Sequence, residues 1–184
     1  REALEKLSEM PMAVYVTSPD YLGNVCDIAG LSSVCDAYGI PLLVDNAHGA
    51  YLGFLEPSLH PIALGASLCC DSAHKTLPVL TGGAYLHVSK KAAEQYLGSA
   101  RKYLSLFAST SPSYLILQSL DLCNAYLARG YRERLSECIR RVIDVKKHIA
   151  QRGFCMVDGE PLKIVIDAKK SGFEGTELAK TLRT

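Results

Sequence analysis

The chain is 184 residues long, 48% hydrophobic and 21% charged, with a formal net charge of +1. That is enough apolar material for one ordinary core, and too even a charge balance for non-specific nucleic-acid binding, which runs on clustered cations. It has no apolar run of about 18 residues and no basic-then-apolar leader, so neither membrane insertion nor export is expected. The densest basic stretch, RRVIDVKKH at 140–148, is interleaved at helical spacing and reads as a solvated helix face. The seven cysteines, Cys26, Cys35, Cys69, Cys70, Cys123, Cys138 and Cys155, are odd in number, scattered and without a CxxC pair. They read as reduced, mostly buried small hydrophobes of a cytoplasmic protein. Neither His nor Cys falls at ligand spacing, so no metal centre is expected.

Residues 1–9 read as the end of a helix. MAVYVTS (12–18) is short, apolar and β-branched, stops at Pro19, and predicts a buried strand. After the turn PDYLGN, the stretch DIAGLSSVCDAYG sets apolar residues at helical spacing from Ile28 to Tyr38, with Gly39 as the stop. IPLLVDN (40–46) is a second buried strand, so strand, helix and strand form a right-handed crossover with parallel strands. Beyond the loop around GFLEPSLHP come a third strand, ASLCCDS (66–72), and a fourth, GGAYLHVS (82–89). Their connection carries Pro78 and a Gly pair but no helical pattern, and a parallel return needs on the order of a dozen residues. The fourth strand is therefore expected to run antiparallel to the third. Alternation sends Cys69 and Cys70 to opposite faces.

Helices are expected over 90–104, over 112–129 behind Ser111-Pro112, and over 131–151, with Gly153 as the last stop. FCMVD and LKIVIDA then read as strands of a smaller layer. The chain opens without Met inside one helical pattern and ends inside another, ELAKTLRT, and so reads as a piece of something longer. The expected fold is α/β, a mostly parallel sheet with one antiparallel strand, flanked by helices. Residues 1–130 form part of the large domain, and 131–184 a connecting helix and the beginning of a smaller α/β region.

Ligands of such sheets sit at the carboxyl ends of the strands, which gathers Thr17-Ser18, Asp45 to His48 and Ser72 to Lys75 at one rim. A lysine beside apolar side chains is destabilised in its charged form, and the neutral amine can form a Schiff base with a carbonyl. Asp45, closing the run IPLLV, needs a cationic partner. A pyridinium nitrogen is one, and keeping it protonated makes the ring an electron sink. Ala47 is small enough for a flat ring to lie against. His48 could stack on that ring or donate to its substituent, while Ser72 and His74 could bind a phosphate or guide a proton. Each also has a plainer reading: Asp45 and Ser72 as caps, His48-Gly49 and Thr17-Ser18-Pro19 as turns, Lys75 as a surface cation, Gly82-Gly83 as a flexible strand entry. An acid at one strand end with Ser-x-His-Lys at the next favours pyridoxal chemistry.

Three stretches, LLVDNAHGAYLGF, CCDSAHKTLPVLTGGAYLHVS and STSPSYLILQSLD, together resemble the large domain of the ornithine/lysine/arginine decarboxylase family. Those are pyridoxal-phosphate enzymes of the aspartate-aminotransferase fold, and the resemblance covers most of 12–130 with its motifs in order. It implies pyridoxal 5′-phosphate as cofactor, Lys75 holding it, Asp45 on the pyridine nitrogen, Ala47 against the ring and His48 near the ring hydroxyl or stacked. Ser72 and His74 are implied near the phosphate, with Ser18 at the same rim. Ser109, Thr110 and Ser111 match a segment that by analogy reaches a cofactor across a dimer interface. The implied activity is decarboxylation of arginine, lysine or ornithine to the amine and carbon dioxide by a homodimer or higher oligomer, with Lys75, His74 and His48 catalytic. The alternatives are an aminotransferase, an aldolase or an α-oxoamine synthase, which Asp-x-x-His at 45–48 also suits, or an inactive scaffold in which DSAHK is a structural turn. A Gly/Ser-rich phosphate turn and an amino-terminal arm, expected upstream, fall outside the chain, so by itself it is expected to retain the cofactor weakly.

Overall fold

Four strands form one sheet in the order β1 (Val14–Thr17), β2 (Leu42–Asp45), β3 (Leu68–Asp71) and β4 (Tyr85–Val88) in the computed structural model, which describes residues 1–183. β1 and β2 pair in parallel with Thr17 beside Asp45, and β2 and β3 in parallel with Asp45 beside Cys70. β4 returns antiparallel to β3, as its short connection requires. Each strand is shorter than its apolar run, but ladder-like bonds extend past the ends. Ser18 N donates to Asp45 O at 3.0 Å, and Asn46 N to Cys70 O at 2.9 Å.

The chain's first element, α1, is confined to Glu2–Glu5. The crossover helix α2 (Ile28–Ala37) starts where Asp27 accepts from Gly30 N, and ends before Gly39, whose φ of +66° suits only glycine without strain. Ile28 and Cys35 pack with Leu42, Val44 and Ala66 into one core cluster. The second cluster lies at the carboxyl end of the sheet. It joins a 3₁₀ turn (Ala50–Phe54) and the short helix α3 (Ala73–Thr76) to the later helices through Tyr51, Leu52, Leu77, Cys123, Tyr131 and Leu135. Neither the 3₁₀ turn nor α3 has enough turns to print a helical period in the sequence.

The helix expected over 90–104 is three pieces: a 3₁₀ turn (Lys90–Ala92), α4 (Ala93–Tyr103) and a π turn (Leu104–Ala108). α5 runs Tyr114–Leu127 behind Ser113 rather than Ser111-Pro112, and α6 spans Tyr131–Gln151 as expected. Arg140, Arg141, Lys147 and His148 are exposed on α6, the solvated face foreseen for that stretch. FCMVD and LKIVIDA contract to a two-stranded pair, β5 (Met156–Val157) and β6 (Val165–Ile166), and α7 covers Gly175–Thr181. Thr184, the end of that last pattern, lies outside the described residues. No helix among them is long and apolar enough to cross a membrane. All seven cysteines are free thiols, but only Cys35, Cys69 and Cys123 are buried. Fewer are hidden than expected, because Cys70 alternates to the open face of the sheet and Cys138 sits on the solvated side of α6.

A latch ties the carboxy-terminal segment to the sheet. Glu160 is buried, accepts from Leu162 N at 2.7 Å and from the hydroxyl of fully buried Tyr51, and its own N–H donates to Gly23 O at 2.8 Å. The backbones touch there, since a Cβ on Gly159 would stand 2.6 Å from Gly23 O. Lys163 Nζ donates to Asp20 O at 3.1 Å and to Tyr21 O at 2.8 Å. Tyr51→Phe leaves a buried carboxylate one donor short and is expected to cost about 1–3 kcal/mol of stability in urea unfolding. Unchanged stability would show the latch to be idle.

Candidate active site

The parallel register sets the ends of β2 and β3 side by side, and the chain leaves both into short turns. Asp45 is half-buried, its Oδ1 accepting from Ala47 N at 3.1 Å and its Oδ2 from the Tyr15 hydroxyl at 3.3 Å. It shares a sheet face with exposed Tyr15 and Cys70, so that face is open. Asn46 turns to the opposite side, fully buried, and donates through Nδ2 to Asp71 Oδ1 at 2.8 Å. A Cβ on Gly49 would lie 1.9 Å from Asn46 Oδ1, so the turn into His48-Gly49 needs glycine there.

His48 Nε2 stands 3.4 Å from Lys75 Nζ, and the Tyr21 ring meets the imidazole edge-on at 5.4 Å. Burial lowers the His48 pKa, helped by the charges of Lys163 and Lys75 and opposed by those of Asp45 and Glu160. The imidazole thus feels both the acid and the amine singled out in the sequence. Lys75 rides on α3, its N–H bonded to Ser72 O at 3.0 Å. It is exposed, which corrects the expectation of an amine sheltered by apolar side chains. Ser72 is the N-cap residue of α3 but makes no side-chain cap bond. His74 Nδ1 donates to Gly83 O at 3.1 Å and its backbone N–H to the same oxygen at 3.2 Å, which folds TLPVLTGG back onto the lysine turn. Gly83 is there for close approach, since a Cβ on it would stand 2.3 Å from Val79 Cγ1, and Gly82 for its φ of +95°.

The structure therefore brings Asp45, Ala47, His48, Ser72, His74 and Lys75 to one rim. Ser18 lies beside them, but its Oγ accepts from Cys26 N at 3.0 Å and holds the loop after β1. Thr110 is exposed in the link before α5, and among the described residues no bond joins it to the rim. Tyr15 was legible through strand alternation from Thr17, whereas Tyr21 and Lys163 left no pattern. Asp71, the first letter of DSAHK, points away from the rim into a buried network. Its Oδ2 accepts from His60 Nε2 at 3.0 Å and His87 Nε2 at 2.9 Å. Burial opposes its charge, but the bonds from His60, His87 and Asn46 outweigh that and hold the carboxyl well below the usual carboxylate range.

The family model for the Orn/Lys/Arg decarboxylase major domain matches residues 1–174. The uncharacterized protein YaaO of Bacillus subtilis (strain 168) is 33% identical over 99% of this chain and 39% of its own length. An arginine decarboxylase of the same organism is 29% identical over 98% of the chain and 40% of its own. The chain thus spans about two fifths of the length of these curated relatives. A chain from a crystal structure of the SepCysS–SepCysE N-terminal domain complex superposes with a TM-score of 0.67 over 91% of this chain and 46% of that one, at 15% identity, a likeness of fold. The chain belongs to the ornithine/lysine/arginine decarboxylase family, through that family's major domain.

Proposed function

We propose that this chain is the cofactor-binding part of a pyridoxal-phosphate-dependent decarboxylase that converts arginine, lysine or ornithine to the amine and carbon dioxide. The observation that carries the reading is the convergence of Lys75 and His48, 3.4 Å apart, on the rim that Asp45 closes. The donor set suits the cofactor: a solvent-accessible amine for its carbonyl, and for its pyridine nitrogen a half-buried carboxylate with no cationic hydrogen-bond partner among the described residues. The cofactor, when bound, would supply an electron sink for the decarboxylation. Lys75 would hold the cofactor, and Lys75 or His74 would return a proton to the substrate's α-carbon. Asp45 would hold the ring nitrogen, and Ala47, two residues on, would leave room for a flat ring. His48, braced edge-on by Tyr21 and favoured neutral, offers a stacking surface rather than a second cation beside the amine. Ser72 and His74, in the turn that carries Lys75, attend the phosphate, and Ser18 keeps the neighbouring loop in place.

Residues 1–130 then form part of the cofactor domain, and 131–184 the connecting helix and first part of a smaller region. A second copy completes the site. Supporting this, exposed Tyr103, Leu104, Leu106, Phe107, Tyr114 and Leu115 flank Thr110, an apolar surface of the kind that marks an interface. The protein works in the cytoplasm on this reading. A different enzyme of the same fold, aminotransferase, aldolase or α-oxoamine synthase, would retain the adduct described next but release no carbon dioxide from the three basic amino acids.

Mass spectrometry after borohydride reduction is expected to find a pyridoxyl group on Lys75, and Lys75→Ala to lose both that mass and the visible absorption. An unaltered band in the variant rules the assignment out. By NMR, His48 is expected to titrate below an ordinary histidine, and Lys163→Met to move its midpoint upward by removing a neighbouring charge. Because the folded pKa is the lower one, the unfolded chain binds more protons, so the His48 contribution to stability is complete above the unfolded pKa and is lost as pH falls through the folded value. A midpoint unmoved by Lys163→Met would remove Lys163 from the site.

A further inference from the structure

Asp71 is 3% exposed, and among the described residues no Lys or Arg is paired with it. Two imidazoles give it hydrogen bonds, but His60, whose Nδ1 accepts from Ile62 N, does so as a neutral ring, and a buried anion is costly without a cation. His60 comes from the loop after the 3₁₀ turn, Asp71 from the end of β3 and His87 from β4, opposite Cys69. Their ligating atoms lie within 4.8 Å of one another. Strand alternation puts Asp71 on the face away from Asp45, so this cluster is separate from the rim and stands whether or not the proposed activity does.

We propose that His60, Asp71 and His87 form a binding centre for a divalent transition-metal ion of the zinc class, taken through the two Nε2 atoms and a carboxylate oxygen. Two imidazoles and a carboxylate are a familiar zinc donor set that leaves a fourth position open. Metal–ligand bonds of about 2.0–2.1 Å set neighbouring donors roughly 3.3 Å apart, so the 2.9 and 3.0 Å separations must open slightly while the two Nε2 atoms, within 4.8 Å of each other, settle to the same spacing. The other carboxylate oxygen is already fixed by Asn46 Nδ2 at 2.8 Å and the Cys69 thiol at 3.3 Å, the outer support that orients a ligating carboxylate. On the remaining side the three residues border a cavity of about 570 Å³, walled by apolar Phe54, Leu77 and Leu127, with room for a water or small ligand in the fourth position.

One contact must change. His60 Nδ1 now accepts from Ile62 N at 3.3 Å, so its proton sits on Nε2. On binding, His60 shifts its single ring proton from Nε2 to Nδ1 and gives the freed lone pair to the ion, and the long bond from Ile62 is lost. A neutral His87 does the same, and a charged one releases its Nε2 proton to solvent.

The test is a titration of the metal-stripped protein with Co²⁺ alone and with Zn²⁺ alone. One equivalent is expected to bind, with a Co²⁺ ligand-field spectrum free of thiolate charge transfer. His60→Gln and His87→Ala should each weaken affinity by more than the roughly 10–100-fold that loss of an outer partner costs. Cys69 Sγ is 4.0 Å from His60 Nε2, so Cys69→Ser tests the thiol as a ligand and is expected to keep the single equivalent, with no more than the roughly 10–100-fold loss of an outer partner. If His60→Gln does not fold, His87→Ala decides with circular dichroism as the check, since its side chain is 37% exposed and easier to remove. No saturable binding, a thiolate band, or undiminished affinity in folded His87→Ala overturns the proposal and leaves a hydrogen-bonded clamp.

Discussion

The alignment of β2 with β3, Asp45 beside Cys70, is the constraint on which the rest depends. A parallel pair one residue out of step would turn every side chain of β3 to the other face. Lys75 would then leave its strand pointing away from His48, and Asp71 would face solvent. Two features hold the alignment. The apolar residues Leu42 and Val44 have only one core to enter, that beneath α2, and the amide of Asn46 reaches across to the carboxylate of Asp71. The bond that locks the strands thus joins the residue after Asp45 to the residue before Ser72, one in each half of the rim.

A parallel sheet is stable only when both faces are covered. Here one face is covered by α2 and the carboxyl end by the cluster around Tyr51. The face carrying Tyr15, Asp45 and Cys70 is open, and so is the apolar surface from Tyr103 to Leu115. The chain spans two fifths of its curated relatives, and exposed apolar surfaces of this kind mark interaction sites.

Much of this was legible in the residues. Four apolar runs gave four strands, and the missing helical pattern between the third and fourth gave the antiparallel return. Asp45, His48 and Lys75 could be grouped because strand ends share an edge. Short elements were not legible. The four residues of α3 are held by tertiary burial of Ala73 and Leu77, and the π turn after Tyr103 extends an apparently continuous helical pattern. Neither was the His60–Asp71–His87 cluster, whose members lie 11 and 16 residues from the aspartate and meet only through the β3–β4 pairing and the loop over it. Metal spacing rules read neighbours along a chain, and this cluster has none. The exposure of Lys75 was not legible either, because it depends on what lies over the rim, which a local apolar neighbourhood does not report.

The grip of Lys163 on two successive carbonyls, those of Asp20 and Tyr21, has a mechanical meaning. The β5–β6 hairpin and the loop after β1 cannot travel separately while that grip lasts, and Tyr21 leans on His48. One ammonium and one phenol ring thus make a continuous line of contact from the far hairpin to the imidazole.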